Sequence, residues 1–486
     1  MPGWQPDMAL RKGLLYLLAQ LLPAVMALFT LAFYTRQLST EDYGRYGVVM
    51  VTAAAANILL FNWLYVGVYR FWHDGRLPAL ELQRVVVLAL LAGSGLVVVL
   101  GGAWISWQGQ AALVMAVVAL LICGAWFGAY QRVNAILGAA DQYLYAELGR
   151  TLLAGGLGVG LVWLGFAWGG AIAGNCLGFA LVLLGIRRFY RYFAVNPLRV
   201  SAVTLRRLLR YGLPLSLTFM LLEVIHASDR LLLGSLSGMD EAGRYTAAMA
   251  LPQQLLIMAG NTVSLTLYPQ IIQVQEQQGV TQAAERLSTY LLVLAGLLVP
   301  VWAGLIAIRQ DLLPLLVGEA FLPSALQLVP LLGLAMLLNA LYLFYVSFAF
   351  QLSQHTGDTV WLVLAAALLN LGLNLWLIPR WGALGAAWAT LLAYALCVLA
   401  GYGLGRRRFP LRLAAGDLLK ILLAAGLMYG LLTVLPLGHG WLPGLLRIVL
   451  GVLSYALLLV LLDAGGIRRL LGQAGWRKQL EAAWRS

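Results

Sequence analysis

Apolar residues run along this chain in long blocks, and short polar stretches punctuate them. Fourteen blocks are long enough to be helices that cross a bilayer, which takes about 20 residues: 13–34, 46–69, 85–107, 111–130, 143–165, 168–185, 211–236, 244–268, 287–308, 325–351, 359–378, 383–405, 418–435 and 442–462. None alternates apolar and polar positions as an outer-membrane strand does. The pattern predicts an all-α integral membrane protein with about 14 transmembrane helices. The first block is too long for a signal-peptide core and lacks a convincing cleavage site, so it is expected to remain as the first helix.

With the N-terminus in the cytoplasm, the inward connections and tails hold 24 Lys and Arg residues, the outward ones hold six, and Arg150 and Arg230 fall inside spans. This excess predicts that both termini are cytoplasmic. The longest polar connection, 187–210, is rich in Arg and divides the first twelve spans into six and six. The expected organisation is a first lobe at 1–190, a basic cytoplasmic linker at 191–210, a second lobe at 211–408, and two further spans with a cytoplasmic tail at 409–486.

Two internal echoes support a duplication. Leu38-Ser39-Thr40-Glu41-Asp42-Tyr43-Gly44-Arg45-Tyr46 returns, with one insertion, as Leu236-Ser237-Gly238-Met239-Asp240-Glu241-Ala242-Gly243-Arg244-Tyr245. The connection between spans five and six, Trp163 to Gly170, aligns without gaps to Trp376 to Ala383, between spans eleven and twelve. Each lobe has an even number of spans, so both begin inside. The repeat is then parallel, related by a pseudo-two-fold axis along the membrane normal, and substrate sites in such proteins lie between the lobes.

Composition narrows the chemistry. The chain has 486 residues, 62% of them hydrophobic and 10% charged, with a mean hydropathy of +0.85. A net charge of +13 would suggest nucleic acid in a soluble protein; here it belongs to the membrane orientation, and no nucleic-acid partner is expected. Cys123, Cys176 and Cys397 lie in apolar runs, which argues against a disulfide or metal site. Lys12, Lys420 and Lys478 have no glycine-rich approach, so no ATP-binding loop is present, and His73, His226, His355 and His439 are scattered. Outward connections are too short for a catalytic domain. The reading is a transporter rather than an enzyme, with no cofactor beyond a coupling proton or sodium ion.

Polar groups inside spans are costly and mark functional candidates. Span seven holds Glu223, His226, Asp229 and Arg230. Glu223 lies roughly 18 Å from the inner end of its helix, near the midplane, and shares a face with His226 and Arg230. It is placed to carry a coupling ion, with His226 and Asp229 as companions; the alternative is that it pairs with His226 or another helix and only holds the bundle together. Glu147 and Arg150 suit a self-neutralising pair, although Glu147 also stands as an ion candidate and Arg150 as a cationic one. Arg45 and Arg244, both at outer helix starts, suit either a cationic pair that binds phosphate or a local pairing with Asp42 and Asp240. Asn261, Asn339, Tyr342, Asn370 and Asn374 would serve as sugar contacts, or as interhelical hydrogen bonds. Pro23, Pro214, Pro252, Pro300 and Pro330 lie inside spans, where proline bends helices.

The Gly-Arg-Tyr connection after span one, Tyr211-Gly212-Leu213-Pro214-Leu215, Asp229-Arg230, the Ala242 to Ala248 stretch that opens span eight, and Pro379 to Ala387 together resemble the Wzx-type oligosaccharide flippases of the multidrug/oligosaccharidyl-lipid/polysaccharide exporter superfamily. The resemblance covers nearly the whole chain. It implies two six-helix lobes around a cationic cavity, with Arg45, Arg230 and Arg244 the arginines that match the family's theme. It further implies a polyprenyl-pyrophosphate-linked oligosaccharide flipped to the periplasmic leaflet of a bacterial inner membrane, coupled to an ion gradient, with membrane lipids and polysaccharide polymerase or export machinery as partners. A multidrug extruder or lipid II flippase of the same superfamily, and a membrane-bound glycosyltransferase or synthase component, are the competing readings.

Overall fold

The structure is a computed structural model that describes residues 6–74, 78–108 and 110–468. Arg76, Arg469, Arg477, Lys478 and Arg485 of the charge tally lie outside the described residues, as do the side chains of Arg11, Lys12, His73, Arg188 and Pro214. The described residues are helical, with no strand among them. Ten helical segments are long and apolar enough to cross a membrane. Two of them, Ala140–Gly185 and Gly357–Arg408, have 46 and 52 residues, roughly twice what a 30 Å hydrocarbon core requires at 1.5 Å per residue. Both turn back on themselves, so each makes two crossings. With α1 (Pro6–Gln37) and α8 (Ala202–Leu236), which are 32 and 35 residues long, the fourteen expected crossings are accounted for.

Two compact units divide the chain between Gly243 and Arg244. Within the first unit, α8 lies antiparallel along α2 (Thr40–Asp74). A Cβ on Gly212 would stand 2.2 Å from the Trp63 carbonyl oxygen, and one on Gly67 would stand 3.3 Å from Leu208. Asn62 donates to Ser216 at 3.4 Å in the same seam. The linker is pinned to this unit as well. Its short helix α7 (Arg187–Phe193) sets Phe189 and Phe193 against Trp126, at 6.2 and 5.9 Å between ring centres.

In the first unit, α3 (Ala79–Gln108) and α4 (Ala111–Ile136) close an apolar core with α2, built on Phe61, Leu64, Leu82, Leu90 and Leu121. Helices α5 (Ala140–Leu161) and α6 (Ala167–Gly185) form a hairpin through small residues. A Cβ on Gly174 would stand 2.3 Å from Gly158, and one on Gly178 would stand 2.7 Å from Ala154. Such contacts let helix backbones approach where lipid gives no hydrophobic drive.

The hairpin reversal corrects the register of the second echo. Ala167 has φ 45° and ψ −141°, and Gly382 has φ 53° and ψ −131°. Three residues on, a Cβ at Gly170 would stand 2.9 Å from Leu161, and one at Gly385 would stand 2.4 Å from Leu377. Ala167 thus corresponds to Gly382, whereas the gapless alignment places it against Arg380. The shared tryptophans set the alignment, but the positive-φ position sets the turn.

The opening turns of α2 and of α9 (Met239–Gln278) meet glycine to glycine. A Cβ on Gly44 would stand 1.8 Å from the Met239 carbonyl oxygen and 3.0 Å from the Gly243 nitrogen. A Cβ on Gly243 would stand 1.9 Å from the Thr40 carbonyl oxygen and 2.9 Å from the Gly44 nitrogen. The two copies of the first echo therefore pack on each other reciprocally.

The second unit contains α10 (Val280–Ala307), α11 (Arg309–Leu316), α12 (Leu322–Leu341), α13 (Ser347–Leu352), α14 (Thr356–Arg408), α15 (Ala415–Val434) and α16 (Trp441–Leu461). A π-helical turn at Tyr342–Val346 joins α12 to α13. Pro252, Pro300 and Pro330 sit inside helices here, as Pro23 does in α1. Helices α15 and α16, which have no counterpart in the first unit's sequence, dock on α10 through Val299, Ala424, Met428 and Leu432. The Tyr455 hydroxyl adds a bond to the Gly296 carbonyl at 3.0 Å.

A buried ion pair fixes the start of α16. Arg447 Nη1 donates to Asp311 Oδ2 at 2.6 Å, while the Gly440 amide and His439 Nδ1 donate to Asp311 Oδ1 at 3.1 and 3.2 Å. Burial pushes the Asp311 carboxyl up, but the Gly440, Arg447 and His439 hydrogen bonds outweigh it and hold it below the ordinary carboxylate range. The signal for this pair was an arginine six residues into an apolar run.

Two predictions follow from this packing. Gly44→Ala and Gly243→Ala drive a methyl into backbone that cannot rotate away, so each should lower the melting temperature in detergent by several degrees or prevent folding, as overpacking by 1–3 kcal/mol or more implies. Gly95→Ala in α3, with nothing within 4 Å, should be neutral or raise it; equal losses at all three sites would contradict the crossing. For Asp311, a folded-state value below the unfolded value of about 3.9 means that the contribution is complete above that pH and is lost as pH falls through the folded value. Wild-type melting temperature should therefore fall between about pH 5 and 3, relative to Asp311→Asn, which should be less stable at pH 7 and flatter across this window. Parallel curves would refute the network's role.

Candidate functional site

Charged residues gather in the first unit where the C-terminal half of α8 meets the start of α2. Ser39 accepts from the Asp42 amide at 3.1 Å and so caps α2. The chain then places Glu41, Asp42 and Arg45 on the first turns. Arg45 Nη2 reaches Glu41 Oε1 at 2.6 Å, and its Nη1 reaches Asp42 Oδ1 at 3.2 Å. Both pairings are within the helix, so Arg45 is neutralised where it stands. The pairing with Asp42 was legible from spacing, whereas the shorter one with Glu41 was not.

Arg230 is the centre of the cluster on α8. It lies within electrostatic reach of Glu223 and His226 on its own helix face and of Tyr43 on α2. Its Nε is buried with no acceptor among the described residues. Asp229 is fully buried beside it, and Glu223, His226 and Arg230 are half-buried. Arg230 is six residues from the end of α8 at Leu236, about 9 Å along the axis, and Glu223 lies about 10 Å deeper.

Tyrosines complete the surroundings. Tyr46 packs against Tyr34 and Tyr43, with 5.6 Å between ring centres in each pair. Gly158 on α5 leaves room for the Tyr34 hydroxyl, which a Cβ would approach to 2.3 Å. The arrangement presents a guanidinium, an acid and phenol edges on facing helices. It can bind an anion at Arg230 and hold a proton or small cation at Glu223.

The family described as polysaccharide biosynthesis protein matches residues 33–326, more than half of the sequence. The chain belongs to this family. The fold of this polysaccharide biosynthesis protein is similar to that of the lipid II flippase MurJ in an inward closed conformation, at 13% identity and a TM-score of 0.76, over 94% of this chain and 100% of that one. An inward-facing multidrug resistance MATE family transporter of the MOP superfamily gives 16% identity and a TM-score of 0.52, over 81% of this chain and 97% of that one. A mutant of the Vibrio cholerae MATE transporter VcmN gives 15% and 0.52, over 83% and 96%. No curated protein matches the sequence. The proteins of this fold are flippases and transporters rather than enzymes.

The other candidate residues of the polysaccharide biosynthesis protein have their own partners and surroundings. Arg150 is paired with Glu147 one helical turn away, Gln131 Nε2 donates to the other Glu147 oxygen at 3.1 Å, and the guanidinium stands 5.7 and 5.5 Å from the Phe127 and Phe179 ring centres. Those contacts tie α4, α5 and α6 together. Arg244 opens the second unit, where its neighbour Tyr245 bonds Thr390 at 3.2 Å. Asn339, Tyr342, Asn370 and Asn374 are enclosed by protein, with Asn374 donating to Asn370 at 3.1 Å; in this conformation their surfaces are closed to a ligand. Asn261 is half-buried on α9.

The second unit also contains an apolar cavity of about 470 Å³ between α10, α15 and α16, with Leu297, Pro300, Val301, Met428 and Val452 among its walls. Arg447 is its charged lining residue. No polar pattern in the sequence announces this cavity, because its walls are ordinary span residues.

Proposed function

We propose that this chain flips a polyprenyl-pyrophosphate-linked oligosaccharide from the cytoplasmic to the periplasmic leaflet of a bacterial inner membrane by alternating access, for cell-surface polysaccharide biosynthesis. The observation that carries this reading is Arg230, a half-buried guanidinium with a buried Nε that has no acceptor among the described residues, within electrostatic reach of Tyr43. A cation there costs free energy unless an anion visits it, and arginine's planar fork suits phosphate oxygens. Of the tyrosines, Tyr46 is half-buried and offers an adjoining sugar part of an apolar ring face. The hydrocarbon tail is served by lipid. Glu223, in the same cluster, is the group assigned to the coupling proton or sodium ion.

Family membership supports a role in polysaccharide assembly, with a polymerase or export complex receiving the flipped product. Both termini face the cytoplasm under the charge distribution. A lipid II substrate is the second reading, favoured by the TM-score of 0.76 over the full length of a lipid II flippase; both lipids offer Arg230 a pyrophosphate.

In a strain that depends on this gene for its surface polymer, Arg230→Ala should reduce polymer at matched protein levels by roughly ten- to a hundredfold, the range expected for losing a charge-assisted hydrogen bond worth about 1.5–3 kcal/mol. Arg230→Lys should retain part of the export. Glu223→Gln should leave substrate binding intact while removing the dependence of export on the proton or sodium gradient. Full export by Arg230→Ala would defeat the phosphate role, and unaltered gradient dependence in Glu223→Gln would defeat the coupling role.

A further inference from the structure

A second cavity in the first unit, of about 410 Å³, lies at the opposite end of α2 and α8 from Arg230. Tyr65, Val66, Tyr69 and Arg70 of α2, Arg132 of α4 and Tyr211 of α8 line it. Nineteen residues separate Tyr211 from Arg230 on one helix, about 28 Å along its axis, so this is not the cluster already described. Its volume falls in the range of about 300–1,000 Å³ that small-molecule sites occupy.

The floor is fixed. Tyr65 is buried and its hydroxyl donates to the Ala125 carbonyl at 2.9 Å. Gly128 makes room for that hydroxyl, which a Cβ would approach to 3.1 Å. Phe71 packs edge-on against Tyr211 at 5.8 Å between ring centres. The rim, by contrast, is charged and exposed. Arg132 lies within electrostatic reach of Tyr65, and among the described residues neither Arg70 nor Arg132 forms an ion pair with a carboxylate, unlike Arg45, Arg84 and Arg150. Arg206, Arg207 and Arg210 on α8 add positive charge at the same end.

Two guanidinium groups around one concavity repel each other until an anion enters. Each offers a planar fork that matches phosphate oxygens, and a membrane interface is where anionic head groups concentrate. The tyrosine faces suit the sugar or glycerol next to such a phosphate. We propose that the Arg70–Arg132 cavity binds the phosphate groups of a lipid head group from the adjoining leaflet. The site itself stands on its own geometry; only the identification of that lipid with the transported pyrophosphate carrier rests on the function proposed above.

The test uses the purified full-length protein in detergent, with fluorescent farnesyl pyrophosphate and fluorescent cardiolipin as separate probes and inorganic pyrophosphate as competitor. Arg70→Gln and Arg132→Gln should each weaken the affinity for at least one probe by roughly tenfold and together by roughly a hundredfold, the size expected for charge-assisted contacts. The double variant Arg70→Lys with Arg132→Lys should fold as wild type and bind at an intermediate level, because charge is kept and the fork is lost. Weakening confined to farnesyl pyrophosphate assigns the cavity to the transported lipid. Weakening that extends to cardiolipin, or is confined to it, assigns the cavity to leaflet phospholipid. Affinity for both probes within twofold of wild type in a monodisperse double Gln variant overturns the proposal. If the wild type fails to flip lipid-linked oligosaccharide while the Gln variants still lose probe binding, the transport reading falls and this site stands.

Discussion

The contact between Gly44 and Gly243 sets the geometry from which the charged cluster is built. Two helices can cross backbone to backbone only where both lack a side chain, and here the residues that cross are the corresponding glycines of a repeated stretch. A methyl on either would stand less than 2 Å from a carbonyl oxygen of the other copy. Neither carbonyl can swing aside without unwinding a helical turn. The crossing fixes the opening turn of α2, and with it the position of Tyr43, Arg45 and Tyr46 opposite the C-terminal half of α8. The repeat that first signals duplication is thus also the joint at which the copies meet.

In each unit, several charged side chains are held by fixed partners. Arg45 is neutralised by Glu41 and Asp42, Arg150 by Glu147, and Arg447 by Asp311, each through short contacts with fixed partners. The buried Asp311–Arg447 pair is expensive to break, because removing one partner leaves an uncompensated charge that costs about 3–5 kcal/mol. Fixed pairs of this kind organise helices. Arg230 differs in having a buried Nε without an acceptor among the described residues, with Glu223, His226 and Tyr43 within electrostatic reach. That difference is the physical basis for the proposal that Arg230 meets the substrate's phosphate.

The spans were legible because apolar length measures membrane thickness directly, and the family was legible because Gly-Arg-Tyr and its companions recur in order along the chain. The clustering of Glu223, His226 and Arg230 followed from helical spacing alone. Other features were hidden for identifiable reasons. The tryptophans at 163 and 376 misled the alignment by two residues, since the turn depends on the backbone of Ala167 and Gly382 and not on side-chain identity. Asp311 and Arg447 are 136 residues apart, and nothing local couples them. The packing of α8 on α2 rests on close approaches at Gly212 and Gly67, which nothing local in the sequence announces.

The account stands on one claim, that the cargo is a lipid whose head group carries pyrophosphate and sugar. The direct measurement is made in proteoliposomes loaded with a polyprenyl-pyrophosphate-linked oligosaccharide on both leaflets, with a membrane-impermeant lectin reporting the sugar that reaches the outer face after the outer pool is destroyed. Wild-type protein should restore lectin binding within minutes, in proportion to protein and with no transport of a cationic dye in the same vesicles. Recovery no faster than in protein-free vesicles, or movement of the dye in place of the lipid, would contradict it.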